Sequence, residues 1–150
     1  MNFIELDIES VLKKLENLTA ETKPIWGKMS AQKMIEHLTI GFKMASGKLS
    51  FPNEVNEEVM EGMRAFLYTD KPMKKEISVA FAPDDNKLIH EELELAIDDF
   101  VNEWIDFEEY YELNENAQHP HPYYGLLNYQ DWCALHQKHL THHFLQFGLL

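Results

Sequence analysis

Histidine is concentrated in one stretch of this 150-residue chain, where five of its eight histidines lie between His121 and His143. His139 and His143 are four residues apart, and in a helix two side chains at this spacing lie on one face, one turn apart. Ring nitrogens of both can then reach a common ion, so the pair predicts part of a site for a divalent metal. His142 points about 100° away from His143 and is predicted to lie outside that site.

A pair of histidines on one helix cannot complete a tetrahedral site, so a third ligand is expected from another helix. The best candidate is His37, which lies about 100° from the centre of an apolar helix face. That face is formed by Met34, Ile35, Leu38, Phe42 and Ala45. A side chain at its edge can lean into a bundle without replacing a core residue. Because three histidines with open coordination positions are typical of catalytic metal sites, we predict His37, His139 and His143 as the metal ligands.

Other side chains with chemical potential accompany this candidate site. His136 falls within about 60° of the histidine pair, where it could transfer protons or be a partly exposed surface residue. His119 and His121 each precede a proline, in a segment that could close over the metal and offer a proton-transfer group, or form a rigid turn with solvent-facing rings. We therefore predict His136 and His121 as the candidate catalytic residues. Glu36 is predicted to lie on the surface, and Cys133, without an evident activating partner, to be an unreactive thiol.

Hydrophobic residues at helical spacing predict the elements that must position these side chains. The predicted helices are Asp7–Leu18, Ala31–Ala45, Asn53–Leu67, Asn86–Glu112 and Tyr129–Phe147. Ser30 and Asn53 are the predicted N-caps of the second and third helices, and Asn128 with Asp131 a capping box before the last. The apolar seam of the fourth helix comprises Ile89, Leu93, Ala96, Phe100, Trp104, Phe107 and Tyr111.

Two segments break the helical pattern. Met73–Asp85 contains a short alternating stretch and is predicted to be an extended loop, because a single strand has no partner. Leu113–Asn128 contains two prolines and a glycine and is predicted to be a long loop, which in a compact domain is often functional. The elements together predict an all-α fold with one domain over residues 1–150. It is expected to be an up-down four-helix bundle with an extra short helix and a long loop before the last helix.

Composition narrows the range of functions. The formal net charge of −13 repels a phosphate backbone, so no nucleic-acid binding is expected. No apolar run approaches the roughly 20 residues that span a bilayer, and the first residues lack the basic start of a signal peptide. The single cysteine excludes an internal disulfide, which fits a reducing compartment. We therefore expect a cytoplasmic protein that acts on a small-molecule substrate and binds no membrane. Exposed aromatic residues are compatible with a homodimer.

Three stretches of the sequence resemble the DinB-like superfamily. Residues 26–38, WGKMSAQKMIEHL, resemble its second-helix motif, in which a tryptophan and a small N-cap precede a ligand histidine. Residues 138–148, KHLTHHFLQFG, resemble its last-helix H-x-x-x-H segment, and HPYYG at 121–125 followed by Trp132 resembles a small bacterial subgroup. The resemblance implies a DinB-like four-helix bundle. His37 then matches the ligand of the second helix, and His139 and His143 match the pair of the last helix.

Superfamily members of known activity are metal-dependent transferases or isomerases that use a low-molecular-weight thiol such as bacillithiol, mycothiol or glutathione. The resemblance therefore implies a metal-dependent, thiol-dependent transferase. The metal would lower the pKa of the bound thiol, and the thiolate would attack an electrophile. Three imidazoles suit zinc, nickel or iron(II), and we expect zinc first and nickel second. Two alternatives stay open: a metal-water hydrolase that uses the same site, and a non-catalytic binding module in which the metal is structural or absent.

Overall fold

The computed structural model describes residues 2–75 and 85–150, which form five helices and one small sheet. In chain order these elements are α1 (Ile8–Leu15), α2 (Ala31–Ala45), α3 (Glu57–Phe66), α4 (Leu93–Leu113), β1 (His119–His121), β2 (Gly125–Leu127) and α5 (Tyr129–Gln146). The predicted all-α class is confirmed. The extended loop predicted at Met73–Asp85 lies mostly outside the described residues. Within them, no helix combines the length and apolar character needed to cross a bilayer.

Side-chain caps determine where the two helices of the predicted site begin. The Ser30 hydroxyl accepts a hydrogen bond from the backbone N–H of Lys33 (3.1 Å) at the start of α2. Asn128 and Asp131 form a reciprocal capping box before α5, with distances of 2.9 and 3.1 Å. Each cap satisfies backbone N–H groups that the first helical turn leaves without partners. Both predicted caps are thus confirmed, and Asp7 similarly caps α1.

The predicted start of α3 is wrong by one turn. The side chain of Asn56, rather than that of Asn53, accepts from the backbone N–H of Val59 (3.0 Å), so the helix begins at Glu57. The residues before it are held elsewhere, because the backbone N–H of Glu54 donates to the carbonyl of Pro122 at 2.9 Å. Both asparagines are good capping residues, and this long-range bond holds the backbone after Asn53 outside the helix.

The predicted start of α4 is also wrong, since the helix begins at Leu93 and not at Asn86. Asn86 adopts a φ of +50° and accepts a hydrogen bond from the Ser30 backbone N–H (2.8 Å). The carbonyl of His90 accepts from the amide of Gln32 at 2.7 Å. Polar backbone groups that already bond to residues at the start of α2 do not require helical hydrogen bonds of their own. The segment 86–92 therefore lies along the beginning of α2.

The long loop predicted at Leu113–Asn128 contains a short β-hairpin. Its strands β1 and β2 pair antiparallel, with His119 opposite Leu127 and His121 opposite Gly125. Gly125 has a φ of +76°, a conformation that favours glycine, and a Cβ there would lie 2.5 Å from the Arg64 guanidinium. Arg64 of α3 donates a hydrogen bond to the Tyr124 carbonyl (2.8 Å). The hairpin is thus held by a helix that is distant along the chain, which the local sequence pattern does not show.

The core lies where α2 contacts both α4 and α5. The Phe42 ring of α2 stacks on Trp104 (5.2 Å between centroids) and meets Phe100 and Phe107 edge-on at 5.8 and 5.5 Å. Of the predicted α4 seam, the buried members are Leu93, Ala96, Phe100, Trp104, Phe107 and Tyr111. Ile89, predicted as the seventh, precedes the helix and is 67% exposed. The aromatic contacts fix α2 against α4 and so set the position of the side chains that α2 directs towards α5.

Glu36 is not on the surface, as its predicted place on α2 suggested, but is 3% exposed. Its carboxylate accepts hydrogen bonds from the backbone N–H groups of Ile89 (2.8 Å) and His90 (2.9 Å). The amide of Gln32 donates to the same carboxylate at 3.2 Å. A buried carboxylate is stable only when donors of this kind replace water. Glu36 therefore fastens the segment before α4 to α2.

Replacement of Glu36 tests this connection. In Glu36→Ala two backbone N–H groups lose a charged acceptor, so the free energy of unfolding should fall by roughly 2–3 kcal/mol. Urea denaturation followed by circular dichroism measures this change. Glu109→Ala on the exposed face of α4 is the matched control and should change stability by less than about 0.5 kcal/mol. Equal stabilities of the two variants would contradict the clamp.

Candidate metal centre

Helices α2 and α5 bring three imidazoles to one point. His37 extends from α2, and His139 and His143 extend from α5, with one ring nitrogen of each within 4.8 Å of the others. The Nε2 atoms of His37 and His139 are 2.8 Å apart. The rings meet at 65–84° with centroids 4.6–4.9 Å apart, so they do not stack on one another. The structure therefore brings together the three predicted ligands.

The orientation of His143 is set by Gln146, one turn further along α5. The amide N–H of Gln146 donates to the Trp26 carbonyl (3.0 Å), so its Oε1 faces Nδ1 of His143 at 2.7 Å. Because an amide oxygen only accepts, Nδ1 carries the proton and Nε2 keeps its lone pair. The Ile25 backbone N–H also donates to the Gln146 carbonyl (2.7 Å). An acceptor behind a ligand imidazole fixes its tautomer in metal sites.

Burial keeps the cluster neutral. The pKa of His37 is lowered to about 4, first by burial and then by the nearby Lys33 charge and His142. Burial, followed by the neighbouring imidazoles, holds the pKa of His139 and of His143 well below the usual range. A neutral imidazole offers the lone pair that a cation needs, whereas an imidazolium repels it. At neutral pH the cluster can thus bind a divalent cation without first releasing bound protons.

His136 lies one turn before His139 on α5, outside the group of three. It is 1% exposed, so the alternative of a partly exposed surface residue is wrong. Its ring stacks on Phe42 at 3.9 Å between centroids and meets Phe107 edge-on at 5.0 Å. Burial and then the nearby His121 lower its pKa to about 3. Its Nε2 has no hydrogen-bond partner among the described residues. Its role in proton transfer stays a prediction.

His121 packs in the core at the end of β1 and is 6% exposed. Its Nδ1 accepts from the backbone N–H of Tyr123 at 3.1 Å, and its ring lies 4.8 Å from Tyr124 and 5.9 Å from Trp132. Burial lowers its pKa to about 3. The predicted alternative of a solvent-facing ring is therefore wrong at His121. His119 is half-buried and also contacts protein. Proton transfer by His121 also stays a prediction.

Two further side chains of α5 were considered in the sequence analysis, His142 and Cys133. The structure places His142 beside the cluster and outside the group of three, with its ring 4.9 Å from that of His143 and 5.6 Å from that of Trp26. Burial raises the pKa of the Cys133 thiol to about 11. A thiol with a raised pKa carries little thiolate at neutral pH, which agrees with the prediction that Cys133 is unreactive.

Sequence reasoning missed Gln146 as a positioning residue. Its spacing of three from His143 is the signal that could have suggested it, because helix residues at i and i+3 approach each other. The other half of its role, the bond to the Trp26 carbonyl, has no local sequence signal. The burial of Glu36 was missed for the same reason, since the two backbone N–H groups that it binds lie more than 50 residues away in sequence.

Two helices of this fold bring three neutral imidazoles to one point. The structure is therefore that of an all-α protein with a candidate histidine metal centre. Residues 2–148 match the profile of the family described as protein of unknown function DUF1569, and the chain belongs to this family. No curated protein and no solved structure matches the chain.

The buried imidazoles make stability depend on pH in a defined direction. Their folded pKa values, about 3 for His136 and His121 and about 4 for His37, lie below the ordinary value of 6.5. The stability they contribute is therefore complete above pH 6.5 and is lost as the pH falls towards the folded values. Below pH 6 each such imidazole should cost roughly 1.4 kcal/mol per pH unit.

His136→Phe isolates one imidazole, because parent and variant share every carboxylate. The slope of unfolding free energy against pH between about 6 and 4 should be smaller in the variant by roughly 1.4 kcal/mol per pH unit. Urea unfolding in the presence of a chelator measures both slopes. Identical slopes would show that His136 binds its proton equally well in the folded and unfolded chain, which would contradict the effect of burial on its pKa.

Proposed function

We propose that this protein is a metal-dependent transferase of the DinB-like four-helix-bundle type that uses a low-molecular-weight thiol and acts on a small-molecule substrate. The observation that carries the proposal is the convergence of His37, His139 and His143 from two helices. The resemblance of residues 26–38 and 138–148 to the DinB-like motifs supports it from the sequence side. The contacts of α2 with both α4 and α5 are compatible with such a bundle.

The three imidazoles fit a divalent cation. They are neutral, and the lone pair of His143 is directed by a hydrogen bond behind it. No carboxylate belongs to the group among the described residues, so its donor set is three nitrogens, which suits zinc, nickel or iron(II). We favour zinc, because three histidines with an open position are a common catalytic zinc arrangement. A divalent ion held there supplies the positive charge that lowers the pKa of a coordinating thiol.

In this proposal the other residues of the site admit the thiol, transfer a proton and orient a metal ligand. His139 is less buried than its two partners, so an external thiol is expected to approach from its side. His136 is the better placed of the two predicted proton-transfer residues, because it lies one turn from His139. Its Nε2 is the atom that would accept a proton, and it would hold that proton only transiently, because burial lowers its pKa to about 3. Gln146 holds His143 in the required tautomer.

Metal content of single variants tests the site. The parent should retain about one zinc per chain after dialysis. His37→Ala, His139→Ala and His143→Ala should each weaken binding by at least about 100-fold, more than loss of an outer hydrogen bond costs. His142→Ala is the matched control and should retain zinc. Far-UV circular dichroism should show that all four variants stay helical, because the core of α2, α4 and α5 is aromatic and aliphatic. Equal zinc retention in His37→Ala would refute the geometry.

Gln146 variants separate ligand orientation from ligand identity. Gln146→Leu should lower zinc affinity by roughly 10–100-fold, since Nδ1 of His143 loses its acceptor. Gln146→Glu keeps an acceptor for Nδ1 but cannot donate to the Trp26 carbonyl, so it should lose less affinity than the Leu variant. A Leu variant with unchanged affinity would mean that Gln146 does not position the ligand.

Thiol use is tested on the cobalt-substituted protein. Addition of bacillithiol, mycothiol or glutathione should produce an intense near-ultraviolet thiolate-to-cobalt band, because the thiol sulfur becomes a ligand. The S-methylated form of the same thiol is the matched control and should leave the spectrum unchanged. If no thiol changes the spectrum but small esters are hydrolysed, the protein is a metal-water hydrolase. If neither occurs, the site belongs to a non-catalytic binding module.

A further inference from the structure

A second feature of the molecule is a cavity of about 250 Å³ that is lined by His142 but by none of the three clustered histidines. Its apolar walls include Phe3, Trp26 and Leu145, and its polar lining includes Lys75, Lys138 and His142. Among the described residues that line it there is no carboxylate. In a chain with a net charge of −13, the two lysines and the lack of an acid among the described lining residues distinguish this cavity.

Lys138 is unusual because it is a lysine with only 2% of its surface exposed. Its ammonium donates hydrogen bonds to the backbone carbonyls of Thr69 (2.9 Å) and Lys71, which stabilise the cationic form. The same nitrogen lies 4.4 Å from the ring centroids of Phe3 and Phe66. Burial lowers its pKa, and the charge of Asp70 opposes that effect. Among the described residues these two carbonyls accept from an ammonium that has three N–H donors, so one donor and the positive charge are left for an anion.

Lys75 supplies the second positive charge at the exposed side of the cavity. Its ammonium lies 4.3 Å from the centre of the Trp26 ring, a cation–π distance that keeps the charge over the cavity wall. His142 contributes a third wall, together with Met73. The cavity thus combines an aromatic and aliphatic interior with two ammonium groups, which together suit a ligand with an apolar body and one negative charge.

We propose that this cavity binds a small organic carboxylate with a single ring or short alkyl body. The carboxylate is expected to pair with Lys75 and Lys138 while its apolar body lies against Phe3, Trp26 and Leu145. The volume agrees with this size, because an apolar cavity of about 150 Å³ accommodates benzene and this cavity is about 250 Å³.

The proposal does not depend on the metal, since none of the three clustered histidines lines the cavity. The two sites are nevertheless neighbours, because His142 lines the cavity while its ring centroid is 4.9 Å from that of His143. An acid bound in the cavity would therefore lie one imidazole away from the proposed metal. If the proposed transferase activity is correct, the cavity would select substrates that carry a carboxylate.

Titration with phenylacetate, followed by the Trp26 indole N–H signal in a ¹H–¹⁵N spectrum, tests the proposal. Trp26→Phe assigns that signal among the three tryptophans. Phenylacetate should shift it with saturation, whereas neutral phenylacetamide should bind at least about tenfold more weakly, since a charged hydrogen bond is lost. Lys75→Gln should reduce this preference, because only the Lys138 charge is then left. The matched control Lys74→Gln removes an equal charge from an exposed neighbour that does not line the cavity, and it should bind phenylacetate within about twofold of the parent.

The titration is run with zinc and with a chelator, which separates this site from the metal. Equal binding in both supports the cavity even if the cluster binds no metal at all. Binding that requires zinc would place the carboxylate on the metal and overturn the proposal. Equal binding of phenylacetate and phenylacetamide would mean that the cavity is only apolar, and an unshifted Trp26 signal would mean that it takes no such ligand; either result also overturns the proposal.

Discussion

An imidazole among apolar side chains loses the water that would solvate its proton, and this protein places His37, His121, His136 and His143 in that situation. Each ring has two nitrogens that need partners once water is excluded. The partners are found inside the cluster for the contact between His37 and His139, and outside it for His143 through Gln146. Nδ1 of His37 and Nε2 of His136 have none among the described residues. Unpaired buried nitrogens cost stability, and sites where a fold accepts such a cost are often functional.

Three consecutive residues of α2 make three different kinds of contact. Ile35 enters the core, Glu36 binds the backbone ahead of α4, and His37 faces α5. Successive residues of a helix are separated by about 100°, so three neighbours necessarily face three directions. Shifting α2 along its axis would therefore disturb the core, the connection to α4 and the imidazole cluster together. Phe42, which touches the aromatic rings of α4 and the His136 ring, fixes that position.

Patterns that act within one helix were sufficient to predict the class of fold, the caps Ser30 and Asn128, and the ligand candidates. Hydrophobic spacing and the i, i+4 histidine pair are local signals of this kind. What the sequence did not reveal depends on bonds between distant segments: the late start of α4, the buried carboxylate of Glu36, and the hairpin that Arg64 holds. In each case a side chain from another helix makes a hydrogen bond to the backbone of a distant segment. The hydrophobic periodicity of either segment does not indicate that pairing.

His37 and His139 are 102 residues apart in the chain although their ring nitrogens nearly touch. An ion shared by them would join two distant points of the chain, but unlike a disulfide it would be released when the chain unfolds. Its stabilising effect is therefore the free energy of binding to the folded state, and it rises with the concentration of free metal. At a free metal concentration 1,000 times the Kd, this effect amounts to roughly 4 kcal/mol. Because α2 and α5 each supply ligands, local unfolding of either helix would release the ion, whereas α1 supplies none.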